Sequence, residues 1–271
     1  MLVEPSHQRA RGVVRVAMKL RDGASVLDDL RQEGCLKVRF PRPEHGAEAV
    51  LLNSSGGVAA GDHLRAEIGV GAGASLCISA QAAERFYRAA PGSGPALVRN
   101  TVSVAAGGAA EWLPQETILF DRSALTRTLD IELAEDARFL GIEMLVFGRQ
   151  AMGESVRQTA LSDTIRLRRA GKLRWRDAIR FTGDPHEALA HAAIGQGALA
   201  LASVLYAAPD AEARLAGVRE ALEGAKAGVS ALGGLLVARL LAPDSASLRK
   251  NAIAALSVLR DGRPLPRVWG C

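Results

Sequence analysis

The sequence predicts a mainly β fold: a β-helix or solenoid-like stack of strands, with two prominent helices in the C-terminal third. Three observations predict it. Apolar and polar residues alternate over short runs, as in His63–Val70, where Leu64, Ala66, Ile68 and Val70 interleave with Arg65, Glu67 and Gly69. Glycine-rich turn signals separate such runs at near-regular spacing from residue 13 to 181. A phrase of strand, small-residue turn and new strand recurs at 70–76, 104–110 and 133–139, offset by 34 and 29 residues, a period that suggests stacked coils.

In chain order, the apolar run Val50–Leu52 is followed by Asn53-Ser54-Ser55-Gly56-Gly57-Val58-Ala59-Ala60-Gly61-Asp62. Gly56, Gly57 and Gly61 mark a backbone that needs positive φ or close approach, which glycine alone supplies without steric cost. No Lys-Ser or Lys-Thr follows and no G-x-G-x-x-G opens a helix, so this is not a phosphate-binding loop. Residues 162–181 read as a hairpin turning at 169–172, with Ile165, Leu167, Leu173 and Trp175 on one face and arginines on the other. From 184 the texture changes. Asp184-Pro185-His186-Glu187 combines an N-cap, proline at N1 and glutamate at N3. Leu215, Val218 and Leu222 give 210–224 the stripe of an amphipathic helix. Asp244 caps a second helix over 245–260, and Gly262 with Pro264 stops it. Periodicity leaves the short apolar runs 198–207 and 233–241 open. No linker is visible, so residues 1–271 read as one domain: β-rich over 13–181, mixed over 184–262, and a tail over 263–271.

At 271 residues the chain buries a core without disulfides. Its three cysteines, Cys35, Cys77 and Cys271, are odd in number and far apart, which points to a reducing compartment; Cys271 reads as a mobile free thiol. The N-terminus has no apolar h-region, and a cytoplasmic protein is expected. Residues 188–208 are uncharged and long enough to span a bilayer, but His191, Gln196, Ser203 and abundant alanine argue against a span. Residues 162–183 hold seven cations against two anions and so carry the whole formal excess of +5.

Catalytic signatures are missing from the sequence: there is no G-x-S-x-G elbow and no Cys-His pair close in sequence. His186 and His191 are five apart, on different helix faces, unlike the four-apart pair of a zinc helix. What remains are carboxylates at turn positions, Asp62, Glu116, Asp121, Glu143 and Glu154, with His63 beside the first. The plain structural reading is that such aspartates accept hydrogen bonds from local backbone amides. The basic face of the 162–181 hairpin, with Arg166, Arg168, Arg174 and Arg176, lacks stacking aromatics, so an acidic protein partner suits it better than nucleic acid.

Further phrases in order are Gln81–Arg88 (QAAERFYR), Trp112–Asp121 (WLPQETILFD), Leu145–Glu154 (LVFGRQAMGE) and Leu265–Cys271 (LPRVWGC). With the Asn53–Asp62 stretch, these resemble the urease accessory protein D family over nearly the whole chain, from about Gln32 to Cys271. Val58-Ala59-Ala60 departs from the bulkier residues or glycine expected before Gly61-Asp62. The resemblance implies a β-helix-like stack, in which 198–207 and 233–241 become strands. It implies a non-enzymatic scaffold that binds apo-urease and accessory proteins F and G, and conducts nickel(II) in transit through a hydrated interior, with no tightly bound cofactor, no nucleic acid and no membrane. A path of that kind needs scattered oxygen and imidazole ligands, weak enough to release the ion. Asp62, His63, Glu116, Asp121, Glu143 and Glu154 are the candidates the sequence supplies. The alternatives are a β-solenoid adaptor without metal traffic, and a carbohydrate-active β-helix enzyme, against which the 4% aromatic content speaks.

Overall fold

The computed structural model describes residues 9–42, 46–149 and 152–270. Cys271, read as a free thiol, lies outside them. The chain opens with a hairpin of β1 (Arg11–Arg21) and β2 (Ala24–Gly34), then β3 (Leu36–Arg39) and β4 (Glu48–Asn53). There follow β5 (His63–Val70), β6 (Ser75–Ala80), β7 (Glu84–Phe86), β8 (Ala96–Val104), β9 (Ala109–Leu113), β10 (Thr117–Leu119), β11 (Ser123–Leu133) and β12 (Arg138–Phe147). The hairpin of β13 (Thr159–Arg169) and β14 (Lys172–Gly183) comes next. The last third holds α1 (Pro185–Ala190), β15 (Ala200–Ala207), α2 (Ala211–Ala221), β16 (Lys226–Leu232), β17 (Leu235–Ala242) and α3 (Ser245–Leu259). A 3-10 turn at Arg267–Gly270 ends the described chain.

Two mixed sheets result. One has seven strands in the order β14-β13-β11-β8-β5-β1-β2; the other runs β16-β17-β15-β12-β9-β6-β4-β3, with β10 and β7 attached through β12. From β5 to β13 the chain alternates between the sheets, and β5, β8, β11 and β13 pair in parallel, as do β6, β9 and β12. The three recurring phrases are the corners β5–β6, β8–β9 and β11–β12. Adjacent corners bond: Gly73 N donates to Ala106 O, Ala109 N to Ala74 O and Arg138 N to Gly108 O, each at 2.9 Å. The fold is mainly β as expected, but its strands form two mixed sheets, and no closed solenoid forms among the described residues. Antiparallel hairpins, β1–β2 and β13–β14, finish both ends of the seven-stranded sheet, and β15–β17 continue the other antiparallel.

Side-chain parity builds two cores on either side of one sheet. Between the sheets lie Val14, Val16, Ile68, Val102, Ile131 and Phe147 among others; between the longer sheet and helices α2 and α3 lie Ile142, Met144, Val204, Leu240, Leu248 and Leu256. β12 therefore buries both faces, with Phe139, Leu145 and Phe147 facing one core and Leu140, Ile142, Met144 and Val146 the other. Each buried Leu, Ile or Phe side chain contributes about 1.5–3 kcal/mol of transfer free energy.

The expected helices at 210–224 and 245–260 are α2 and α3, and the open runs 198–207 and 233–241 hold β15 and β17. Residues 188–208 contain the end of α1, turns and β15, and no helix among the described residues is long and apolar enough to cross a membrane. The 162–181 hairpin forms as read, with one correction. Leu167 is buried and Trp175 packs against the core, but Leu173 is 52% exposed. The register shifts between Leu167 and Arg168, and Leu173 sits past the edge of the core, next to the hairpin turn.

Candidate functional site

The turn after β4 is held by its own side chains. Gly56, Gly57 and Gly61 have φ of 77°, 145° and 85°, in the left-handed or mirror region that side chains avoid. A Cβ on Gly57 would stand 2.5 Å from the Tyr87 ring, whose hydroxyl donates to Gly56 O at 2.5 Å. Asn53 closes the turn by accepting from Ser55 N at 3.0 Å while its Nδ2 points inward to Glu84, 3.3 and 3.2 Å from the two carboxylate oxygens.

Beneath this turn, between the sheets, is a cavity of about 310 Å³. Its mouth lies among Asn53, Gly56, Gly57, Gln81 and Arg85, and Leu64, Ala66, Val98 and Asn100 form one wall. Small residues at Ala66, Ala80 and Ala83 leave the space. At the floor stand Trp112, Thr117, Arg127 and Glu143. Burial pushes the Glu84 carboxyl up to about 7, against the opposing pull of its hydrogen bond from Asn53.

A buried ionic network ties the two sheets together at that floor. Arg127 on β11 donates Nε and Nη2 to the two oxygens of Asp163 on β13, at 2.9 and 2.6 Å. Its Nη1 reaches Thr117 Oγ1 at 2.7 Å and Glu143 Oε2 at 2.6 Å. Trp112 Nε1 donates to Glu143 Oε1 at 2.8 Å. One cation faces two anions in a buried site. Desolvation therefore raises the Glu143 pKa, with Asp163 adding to the shift and Arg127 opposing it.

Of the six carboxylate and histidine candidates, only Glu143 lines the cavity. Asp62 is buried and accepts from Ala10 N and Ala59 N, both at 2.8 Å. Asp121 accepts from Arg157 N at 2.8 Å and Gln158 N at 3.0 Å. Glu154 bonds Arg149 N, Arg149 Nε and Asp121 N at 3.1, 2.9 and 3.3 Å. Glu116 is buried beside the cavity and accepts from Arg249 Nη1 at 3.0 Å, while His63 points outward and is exposed. Of the four hairpin arginines, Arg166 pairs with Asp130 and Arg168 with Glu132, whereas Arg174 and Arg176 have no anionic partner among the described residues. Sequence reading missed Glu84, Asn53, Asn100 and Arg127. Glu84 looked like one more polar residue in QAAERFYR, and only its parity beside Phe86 hinted that it turns inward.

The family model described as UreD urease accessory protein matches residues 10–270. The chain belongs to the UreD urease accessory protein family. It is 44% identical over 263 residues to the urease accessory protein UreD of Rhizobium etli, covering 97% of this chain and 96% of that one. To the protein of the same name from Azorhizobium caulinodans it is 44% identical over 268 residues, 98% of each chain. To that from Xanthobacter autotrophicus it is 45% identical over 264 residues, 97% of this chain and 90% of the relative.

In this UreD-family chain the phrases that carried the resemblance meet in space. Val58 bridges to Phe86; Phe86 pairs with Leu119 across β7 and β10; Leu119 pairs with Phe147 across β10 and β12. These four buried residues, one from each phrase, form a single parallel row within the core between the sheets. The tail phrase joins as well. Arg249 on α3 donates to Gln115 Oε1 and Trp269 O, each at 2.6 Å, and Trp269 Nε1 donates to Leu113 O at 3.0 Å. Of the phrase LVFGRQAMGE, Gln150 and Ala151 lie outside the described residues.

Proposed function

We propose that this chain acts in urease maturation as a non-enzymatic scaffold between apo-urease and accessory proteins F and G, and that its interior cavity takes nickel(II) in transit. The observation that carries the reading is the donor set of the cavity: two carboxylates, Glu84 and Glu143, with the amides of Asn53 and Asn100 and the hydroxyl of Thr117. Hard oxygen donors hold a hydrated divalent cation loosely, whereas thiolates would trap it. Among the described residues no group of three or more His, Cys, Asp and Glu gathers into a cage, which fits passage better than storage. Arg127 is held at the floor by Asp163, Glu143 and Thr117, so a cation entering from the mouth meets Glu84 before that network. In this reading Asp62, Asp121 and Glu154 shape the turns that bound the cavity.

The test is reconstituted urease activation at limiting nickel with Glu84→Gln, Glu143→Gln and, as a comparison, Asp62→Asn. Complex assembly is followed by size-exclusion chromatography and nickel by metal analysis of the urease. The expected result is intact assembly with lowered nickel occupancy for Glu84→Gln and Glu143→Gln, and near-normal occupancy for Asp62→Asn. Full occupancy with Glu84→Gln and Glu143→Gln would leave an adaptor without metal traffic.

A further inference from the structure

We propose that the outer face of the seven-stranded sheet is a docking surface for a carboxylate-rich protein surface, engaged by Arg99, Arg176 and Arg180 with Arg174 at its margin. Helices α2 and α3 both pack on the other sheet, against β15, β16 and β17, and the outward residues of β14 stand exposed. The register defines the surface. Arg99 on β8 lies in line with Thr128, Thr164 and Ala178 on the next three strands, so it faces the gap between Arg176 and Arg180 on β14. Short side chains thus make a flat floor, and guanidinium groups stand on both sides of it. Adjacent strands are about 4.8 Å apart and alternate residues on a strand about 6.8 Å, so the frame measures roughly 14 Å on each side.

Pairing separates these arginines from their neighbours. Arg166 and Arg168 are neutralised by Asp130 and Glu132 on β11, and Arg65 is bonded to Glu67. The side chains of Arg99, Arg174, Arg176 and Arg180 have no hydrogen bond or ion pair among the described residues. Unpaired guanidinium groups match carboxylates in planar, two-pronged geometry, and across an interface they contribute chiefly to specificity and association rate. Edge protection, in which charges on an outer strand prevent sheet-to-sheet pairing, accounts for the arginines of β14. It does not account for Arg99, three strands in from that edge. A nucleic acid fits less well. The outward positions of β8, β11, β13 and β14 carry no aromatic side chain for bases to stack on.

The experiment uses the full chain and, as probe, a fluorescent helical peptide carrying glutamates along one face, with single-stranded DNA of equal charge as competitor. Affinity is measured by anisotropy at two salt concentrations for wild type, Arg99→Ser, the triple variant Arg174→Ser/Arg176→Ser/Arg180→Ser, and Lys250→Ser on α3. The expected result is about tenfold weaker peptide binding in the triple variant, a several-fold loss in Arg99→Ser with a smaller salt dependence, and no change in Lys250→Ser. Peptide affinity unchanged in Arg99→Ser would overturn the proposal and leave edge protection alone. Tighter binding of the DNA than of the peptide would overturn it in favour of a nucleic-acid surface. Should the triple variant aggregate, the soluble Arg99→Ser variant decides.

Discussion

Glu84 is bonded from across the cavity mouth by Asn53, whose Nδ2 lies within 3.3 Å of both carboxylate oxygens. The first residue of the glycine turn is thereby fastened to the wall of the cavity below it, and a buried acid is left with little to offset its desolvation.

That imbalance has a pH signature. With the folded-state pKa of Glu84 at about 7 and an unfolded value near 4.5, the native state holds a proton that the unfolded chain releases between those limits. Glu84's contribution to stability is thus fully present below 4.5, falls as pH rises, and is gone once pH passes about 7. Glu84→Gln removes the titration. Melting temperature against pH should decline over this window in wild type more than in the variant, and at pH 8 the variant should be the more stable by ~1–3 kcal/mol. Parallel curves would show that Glu84 is hydrated in the folded protein.

Gly56 and Gly57 are adjacent in sequence and should respond differently. At Gly56 an added Cβ meets nothing within 4 Å, so Gly56→Ala bears only the cost of its positive φ, about 1–2 kcal/mol. At Gly57 the added atom strikes the Tyr87 ring as well, and Gly57→Ala should cost about twice as much by urea denaturation. Adding Tyr87→Ala to Gly57→Ala should cost less than the sum of the two single changes, because the clash is removed with the ring.

Arg127 tests how the sheets are joined. Arg127→Met strips from Glu143 and Asp163 the only cation paired with them among the described residues, and a loss of about 3–5 kcal/mol is expected at neutral pH. The loss should shrink in acid, where Glu143, its pKa raised by burial, takes up a proton. Replacing all three residues together with apolar side chains of similar volume should recover most of the stability, measured by the same denaturation.

Arg249 fastens the tail. Arg249→Ala leaves the Trp269 carbonyl and the Gln115 amide oxygen without their donor and removes the guanidinium stacked on the Trp269 ring. Limited proteolysis should then cut within 262–270 faster than in wild type, with the two sheets still protected. Equal cutting rates would show that Trp269 and Leu113 hold the tail without help.

Much of the fold was legible because its cause is local. Alternation in His63–Val70 and the small-residue corners at 70–76 and 104–110 follow from backbone geometry, and Asp184 and Asp244 cap helices with side chains that act within three residues. β16 escaped notice because Lys226–Leu232 is an exposed edge strand with little apolar alternation to reveal it. The site was legible only as a set of phrases. Asp62, Asp121 and Glu154 looked alike in sequence to Glu143, yet three accept from backbone amides while Glu143 stands at the cavity floor. Which acid turns inward depends on strand pairing between residues 31 and 36 apart, as in Trp112–Glu143 and Arg127–Asp163. No window of local sequence contains that distance.

β12 has a further consequence as the partition between two cores. A substitution scan of β11 should show a two-residue beat, tolerant at outward Thr126, Thr128 and Asp130, intolerant at inward Leu125, Leu129 and Ile131. Across β12 the beat should vanish, because Phe139 to Phe147 has no outward side. A segment intolerant at every position ordinarily invites a search for an active site. Here uniform intolerance would report a shared wall, and the one position on it where stability and activity data should part company is Glu143.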